Sequence, residues 1–565
     1  MEKHLVHRQK VTLQVSKKDD AFALQSMVSY LLQNELKTSL ESALDKAFPP
    51  GKVVRIDTLQ LNLGDINPNN FEQEFKSKFI TALAESLSAK SDSIANNSAG
   101  AESIISEAQS VADALIFFLE KGYLPWYSST VNIADWETDI LKILTKTEYQ
   151  YLVEWLQEAQ QQNSAVIDRL ILQFSDHLLA AIIQNATTFT RNNWKQLFTD
   201  FTFVLSIFDK GKINIGSKKE QQPSTTPSYF NLNSQTVRNQ VWQSAFQVLL
   251  NAPDKAYALS ILKLLSAHFG IKGKHITTAR EKQISSILKT AVVKDAFKQW
   301  IQLLKMEDGT ILDKTKPDNT RSGTKEDIVD LTASADDNNR IGNNNDPDKS
   351  IDTNNLANKN MAEQHTSAGD NSAYNSEEAN KPAPNKKDSI KKKKQADEKD
   401  IISINTCGLV LLNPFFKPYF ERLELMNNNK FINDQARERA VMLLYYLTTG
   451  NTEAAEFDLV LQKILCGYPL QQPLATAIIV SETEKMFSDG LLEAVLNAWN
   501  SLKNTSVQGL RESFLLRNGN LELRENGWLL KVEQRGLDVL LGTIPWGFST
   551  IRHPWMENIL SVDWY

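Results

Sequence analysis

The chain has 565 residues, 41% of them apolar and 23% charged, with a formal net charge of −6. Its length argues for roughly three or four domains, and its weak negative balance lacks the basic stripe of a nucleic-acid binder. No run reaches the ~18 apolar residues of a membrane span. Two cysteines, Cys407 and Cys466, without a CxxC, argue against a disulfide framework or zinc site and fit a reducing compartment. The polar start Met1-Glu2-Lys3-His4 offers no apolar secretory segment.

The first 90 residues read as strand, helix, strand, helix. Val11, Leu13 and Val15 alternate with Thr12 and Gln14, which predicts a half-buried strand. From about Asp20 a helix follows, capped by Asp19 or Asp20 and carrying Phe22, Met27, Leu31, Leu36, Leu40 and Leu44. Pro49-Pro50-Gly51 ends it. Val53 to Gly64 reads as a strand that slips phase at a bulge near Asp57-Thr58. Asn67 caps a further helix with Pro68 in its first turn. Phe71, Phe75, Phe79, Leu83 and Leu87 recur every four residues, a stripe for a core or a partner helix.

Residues 88–100 are rich in Ser, Asn and Ala and read as a linker. From 101 to 305 the pattern is helical, with a polar break near 209–230 marked by Gly211, Gly216, Pro223 and Pro227. The stretch 306–400 is crowded with Asn, Asp and Lys and holds one aromatic, Tyr374. It cannot bury enough apolar surface to offset chain entropy, so a disordered linker is expected. Its run Lys391–Lys394 is interleaved with acidic residues and reads as solvated.

Order returns at Ile401, with the apolar run Gly408–Phe416 broken at Pro414. Helices are predicted at 434–448, 455–466 and 482–503. Asn526-Gly527 between Leu521–Leu523 and Trp528–Val532 signals a hairpin, and Ile559–Trp564 a short closing strand. Three Pro-Trp dipeptides, Pro125-Trp126, Pro545-Trp546 and Pro554-Trp555, mark rigid corners. Proline bars helix before it, and each indole drives a large apolar surface into a pocket.

Chemistry-bearing motifs are scarce. No phosphate loop, dinucleotide glycine motif, HExxH or GxSxG is present. His4 and His7 lack a companion ligand and read as exposed. Cys466 has no histidine nearby in sequence to act as its base. Arg437, Glu438, Arg439, Glu453 and Glu456 read as exposed helix charges, while Glu533, Arg535 and Asp538 read as a partly buried structural network.

The string Phe117–Trp126, FFLEKGYLPW, resembles the FLxxGxLPW signature of the tape measure proteins of contractile injection systems, which are phage-tail-like particles. Ile56–Gly64 resembles the family's IxxLxLxLG segment. Gly408–Phe415, Ala436–Val441, Lys463–Gly467, Trp499–Ser506, Leu510–Leu515 and Ile544–Trp546 are similar to its C-terminal patterns and follow in the same order. The resemblance covers roughly 50–127 and 405–564; Tyr127 stands where the family often has Trp.

The expected architecture is mainly α, with small α+β modules at 1–90 and 401–565, a helical region at 101–305 and the disordered linker between. The resemblance implies a non-enzymatic assembly protein that sets inner-tube length while anchored at the baseplate and spike. It implies inner-tube, baseplate and spike proteins as partners and admits a homo-oligomer within the tube. No nucleic acid, membrane insertion, catalytic group, metal or cofactor is implied. The location implied is cytoplasmic during assembly and inside the particle thereafter. The structural signature comprises Gly122, Leu124, Pro125, Trp126, Cys466, Gly467, Pro545, Trp546 and Trp555. The alternative is a baseplate-associated adaptor or assembly chaperone that measures nothing. A carried effector enzyme would need a catalytic constellation that the sequence does not offer.

Overall fold

A computed structural model describes residues 4–7, 9–15, 18–48, 51–96, 103–128, 132–186, 196–197, 199–201, 235–251, 257–288, 291–307, 401–475 and 478–564. The expected break near 209–230, residues 308–400 and the run Lys391–Lys394 lie outside these. The described residues belong to one unit drawn from Met1–Ile311 and Glu398–Tyr565.

At the N-terminus, α1 (Lys18–Tyr30) leads through a wide π turn at Leu31–Glu35 into α2 (Lys37–Ala47). Asp19 and Asp20 lie inside the first turn of α1 and not ahead of it. Residues 9–15 form no strand and have no strand partner among the described residues. Alternation gives a segment one apolar face; it does not provide a neighbour for its backbone groups. The second expected strand shortens to β1 (Val53–Arg55), which pairs antiparallel with β2 (Ser103–Ile105). Leu59, Leu61 and Leu63 still turn alternately onto the N-terminal core without a strand partner. Asn67 accepts from the Asn69 amide at 3.0 Å, and Pro68 follows it. The helix α3 (Phe71–Asn96) buries Phe75, Phe79, Leu83 and Leu87 as one stripe. It also runs through residues 88–96, which were expected to be linker. That stretch contains neither Gly nor Pro to stop it.

The helical region begins with α4 (Glu107–Lys121), capped by Ser106 at one end and closed by Gly122 at φ 83°. Then come α5 (Ile133–Ile143), α6 (Lys146–Gln162), α7 (Ala165–Gln173) and α8 (Asp176–Ala186). They are followed by α9 (Gln235–Asn251), α10 (Tyr257–His268), α11 (Thr278–Ile287) and α12 (Ala291–Glu307). Their inner faces share one core that includes Leu115, Phe118, Leu152, Leu170, Ile182, Trp242 and Trp300. The sequence assigned Met306 and Glu307 to the linker, yet they complete the last turn of α12.

The C-terminal part opens with β3 (Ile401–Ile404). The apolar run that follows winds as a 3-10 helix, Cys407–Phe415, with Pro414 inside it. It continues into α13 (Phe416–Arg422), so the proline does not break the chain there. A small hairpin, β4 (Met426–Asn427) and β5 (Lys430–Phe431), precedes α14 (Asp434–Thr449), α15 (Val460–Leu465) and α16 (Glu482–Ala498). The last strands are β6 (Gly519–Arg524), β7 (Gly527–Val532), β8 (Thr550–Ile551) and β9 (Leu560–Asp563). Their sheet has the order β3-β6-β7-β9-β8, with β7 and β9 parallel and the other pairs antiparallel. The hairpin forms as expected, but its turn is Glu525-Asn526, because Arg524 faces Gly527.

The helical and C-terminal cores exchange side chains. Ala455 and Phe457 belong to the helical core, where Phe457 lies 5.9 Å from Phe118, ring to ring. Tyr123, just past α4, belongs to the C-terminal core. Edge-to-face rings at such spacing add ~0.5–1.5 kcal/mol beyond the area they bury.

Candidate functional site

The chain's most unusual chemistry lies where these two cores meet. Helix α7 carries Val166, Leu170 and Gln173 on its buried face, and Arg169 falls on that face too. Glu456 begins the short 3-10 turn before α15, and Lys463 sits within α15. All three are buried, with side-chain exposures of 0%, 0% and 1%. Arg169 Nε donates to Glu456 Oε2 at 3.0 Å, and Lys463 Nζ donates to Glu456 Oε1 at 2.5 Å.

One carboxylate is thus shared by two cations, and backbone oxygens absorb the excess charge. Arg169 also donates to the carbonyls of Leu119 and Gln471, the latter at 2.6 Å. Lys463 donates to the carbonyls of Gln472 at 2.7 Å and Leu470 at 3.3 Å. Gln173 braces the rim: it accepts from the Glu456 amide at 2.9 Å and donates to the Leu474 carbonyl at 2.7 Å. Burial pulls the Lys463 ammonium below its ordinary range, and Glu456 offsets part of that pull. Buried charges persist only when paired and hydrogen-bonded in this way.

Two signature glycines serve this junction. A Cβ on Gly122 would sit 2.7 Å from the Leu470 carbonyl and 3.0 Å from both Arg169 Nη2 and Glu456 Oε1. A Cβ on Gly467, at φ 62°, would sit 2.1 Å from the Trp555 carbonyl. Trp555 in turn donates its indole N–H to Leu465 at 2.9 Å. Gly122, Cys466, Gly467 and Trp555 therefore border the same 465–474 turn from both halves of the chain. Leu124 is half-buried against the helical core, and Pro125 is buried. Trp546 lies elsewhere: it donates to the Leu411 carbonyl at 2.8 Å and packs on Phe415, while Pro545 is exposed.

Several sequence expectations change. Glu456 is the hub of the cluster and not an exposed helix charge; the apolar residues flanking it, Ala455 and Phe457, carry it inward. Arg439 is held by Glu484 at 2.5 and 2.8 Å, and Glu438 accepts from the Tyr468 hydroxyl at 3.1 Å. Asp538 pairs with the fully buried Arg517 at 2.7 Å and accepts from the Trp564 indole. The side chains of Glu533 and Arg535 stay largely exposed, but their backbones join that network: the Glu533 carbonyl accepts from Arg517 at 3.0 Å, and the Arg535 amide donates to Asp538 at 2.8 Å. His7 stacks on Trp126 and is half-buried. Trp126, expected in a pocket, is 41% exposed. Burial drives the Cys466 thiol well above its ordinary range, so it is not poised as a nucleophile.

The fold is mainly helical, and its buried charges tie segments far apart in the chain together. The family model for contractile injection system tape measure proteins matches residues 3–564, and the chain belongs to that family. Comparison with curated proteins gave no match, and neither did comparison with solved structures. The family is structural and non-enzymatic, and its members are tail-like particle components that act on tail length and associate with tail tube components. Among the described residues, no helix is long and apolar enough to cross a membrane.

Proposed function

We propose that this chain sets the inner-tube length of its particle and that the clasped body is its state before tube growth. The observation that carries this reading is the Arg169–Glu456–Lys463 clasp, which folds two halves of one chain onto each other. A lumenal ruler is extended, and a helix rises ~1.5 Å per residue, so a wholly helical chain of this length reaches at most roughly 850 Å. Opening the clasp separates the halves and gives the chain access to that span. The inner tube, baseplate and spike are the partners in this reading. The body is cytoplasmic before assembly and lies within the particle afterwards.

The signature residues then keep the storage form closed, through Gly122 and Gly467, and fix its corners, through Trp546 and Trp555. Shortening the chain between Leu312 and Asp397 and measuring tube length tests the proposal. A second reading, an adaptor that recruits tube or spike proteins without measuring, is favoured by the closure of the body itself. It requires tube length to stay constant in the same experiment.

A further inference from the structure

The Pro125-Trp126 corner differs from the other two. The indoles of Trp546 and Trp555 each donate to a backbone carbonyl. Trp126 makes ring contacts instead: His7 stacks on it at 4.6 Å and 20°, and Tyr127 meets it edge-on at 5.9 Å. The Arg55 guanidinium lies 4.9 Å from the Tyr127 ring centre and donates through Nη1 to Asp113 at 2.9 Å. Gln109 takes the other oxygen of Asp113 at 2.8 Å. Two nitrogens in this group, Arg55 Nη2 and His7 Nε2, are buried and have no hydrogen-bond partner. Around them Leu5, Val6, Trp126 and Tyr151 are exposed by 46%, 61%, 41% and 41%.

We propose that this corner is a docking surface for a segment of a partner protein that presents a carboxylate beside an aliphatic side chain. The charge argument is local. Asp113 already satisfies Nη1, so the spare capacity is one guanidinium nitrogen and, in its Nε2–H tautomer, one imidazole nitrogen. Each calls for an acceptor, and a carboxylate at the guanidinium nitrogen answers it with a charge-assisted bond. A sealed donor without a partner is costly, and an incoming carboxylate relieves that cost. Trp126, 41% exposed and in ring contact with His7 and Tyr127, offers its open face to the aliphatic group beside the carboxylate. Trp, Tyr and Arg around a desolvated centre is the composition of interface hot spots. The surface is independent of the length-setting role, whose failure leaves it untouched.

The test uses the full chain on an array of immobilised decapeptides carrying Glu or Asp beside Leu, Ile or Val, with matched Gln and Asn copies. The wild-type chain is expected to prefer the acidic copies by about tenfold, the scale of one charge-assisted hydrogen bond. Arg55→Gln is expected to erase that preference, Arg55→Lys to keep most of it, and Trp126→Ala to weaken binding to all peptides. Thermal melting of each variant establishes that the fold is intact. Absence of binding, or equal binding to acidic and amide copies, overturns the proposal. So does sedimentation showing a wild-type oligomer that Arg55→Gln converts to monomer, since a second copy would then be the occupant.

Discussion

Arg169 and Glu456 meet at 3.0 Å across 287 positions of chain, both fully buried. With Lys463 on the opposite carboxylate oxygen, the pair ties α7 to the segment before α15. Contacts of such separation carry the full entropic cost of closing a long loop. They hold because Phe457 and Tyr123 lock into the opposite cores alongside them.

Removing the shared anion is therefore more damaging than removing either cation. Glu456→Ala leaves Arg169 and Lys463 buried without a counter-charge and is expected to destabilise the body by about 3–5 kcal/mol. Arg169→Met is expected to cost less, because Lys463 still neutralises Glu456. Replacing all three with apolar residues of similar volume is expected to recover most of the loss. Denaturant midpoints of the variants give the order.

Co-expression of residues 1–307 and 401–565 as separate chains is expected to yield a complex that copurifies. Glu456→Ala in the second chain is expected to abolish it. Copurification that survives this substitution would mean that the shared cores alone join the halves.

Gly122→Ala and Gly467→Ala each place a Cβ against a backbone carbonyl at a left-handed φ. The left-handed conformation alone costs ~1–2 kcal/mol for an ordinary residue, and the carbonyl cannot move without displacing its own turn. Both variants are expected to lower the melting temperature. Gly490→Ala, where a Cβ meets nothing within 4 Å, is the control.

Asp458 gives the pH signature. Burial pushes its carboxyl up to about 6, against the opposing hydrogen bonds of Asn405 and the Ala455 backbone. Its folded pKa exceeds its unfolded value near 3.8, so its contribution is fully present below pH ~4 and is lost as pH rises through ~6. Asp458→Asn is expected to be more stable than wild type at pH 7.5, by at most about 3 kcal/mol. The advantage should vanish below pH ~4. Melting curves of the two chains across that window check it.

Much of the helical scaffold was legible because periodicity and caps are local. Asn67, the Phe75–Leu87 stripe and the 519–532 hairpin follow from neighbours in sequence. The clasp was not legible, since Glu456 and Arg169 lie 287 positions apart and meet only in the folded chain. A trace of it was present: Arg169 falls in helical phase with Val166 and Gln173, so α7 carries a charge on its apolar face. The strand expected at 11–15 failed for the opposite reason, because alternation is a property of one segment and pairing needs two. Arg517, the buried partner of Asp538, likewise comes from outside the 533–538 cluster.

Tube length is the most direct measure of the central claim. A chain lacking about 40 residues between Leu312 and Asp397 loses none of the residues of the clasped body, and is to be assembled into particles. Electron microscopy of their inner tubes is expected to show a uniform shortening, bounded at ~130 Å by the ~3.3 Å reach of each residue. Tubes of unchanged length would contradict a measuring role and leave the adaptor reading in its place.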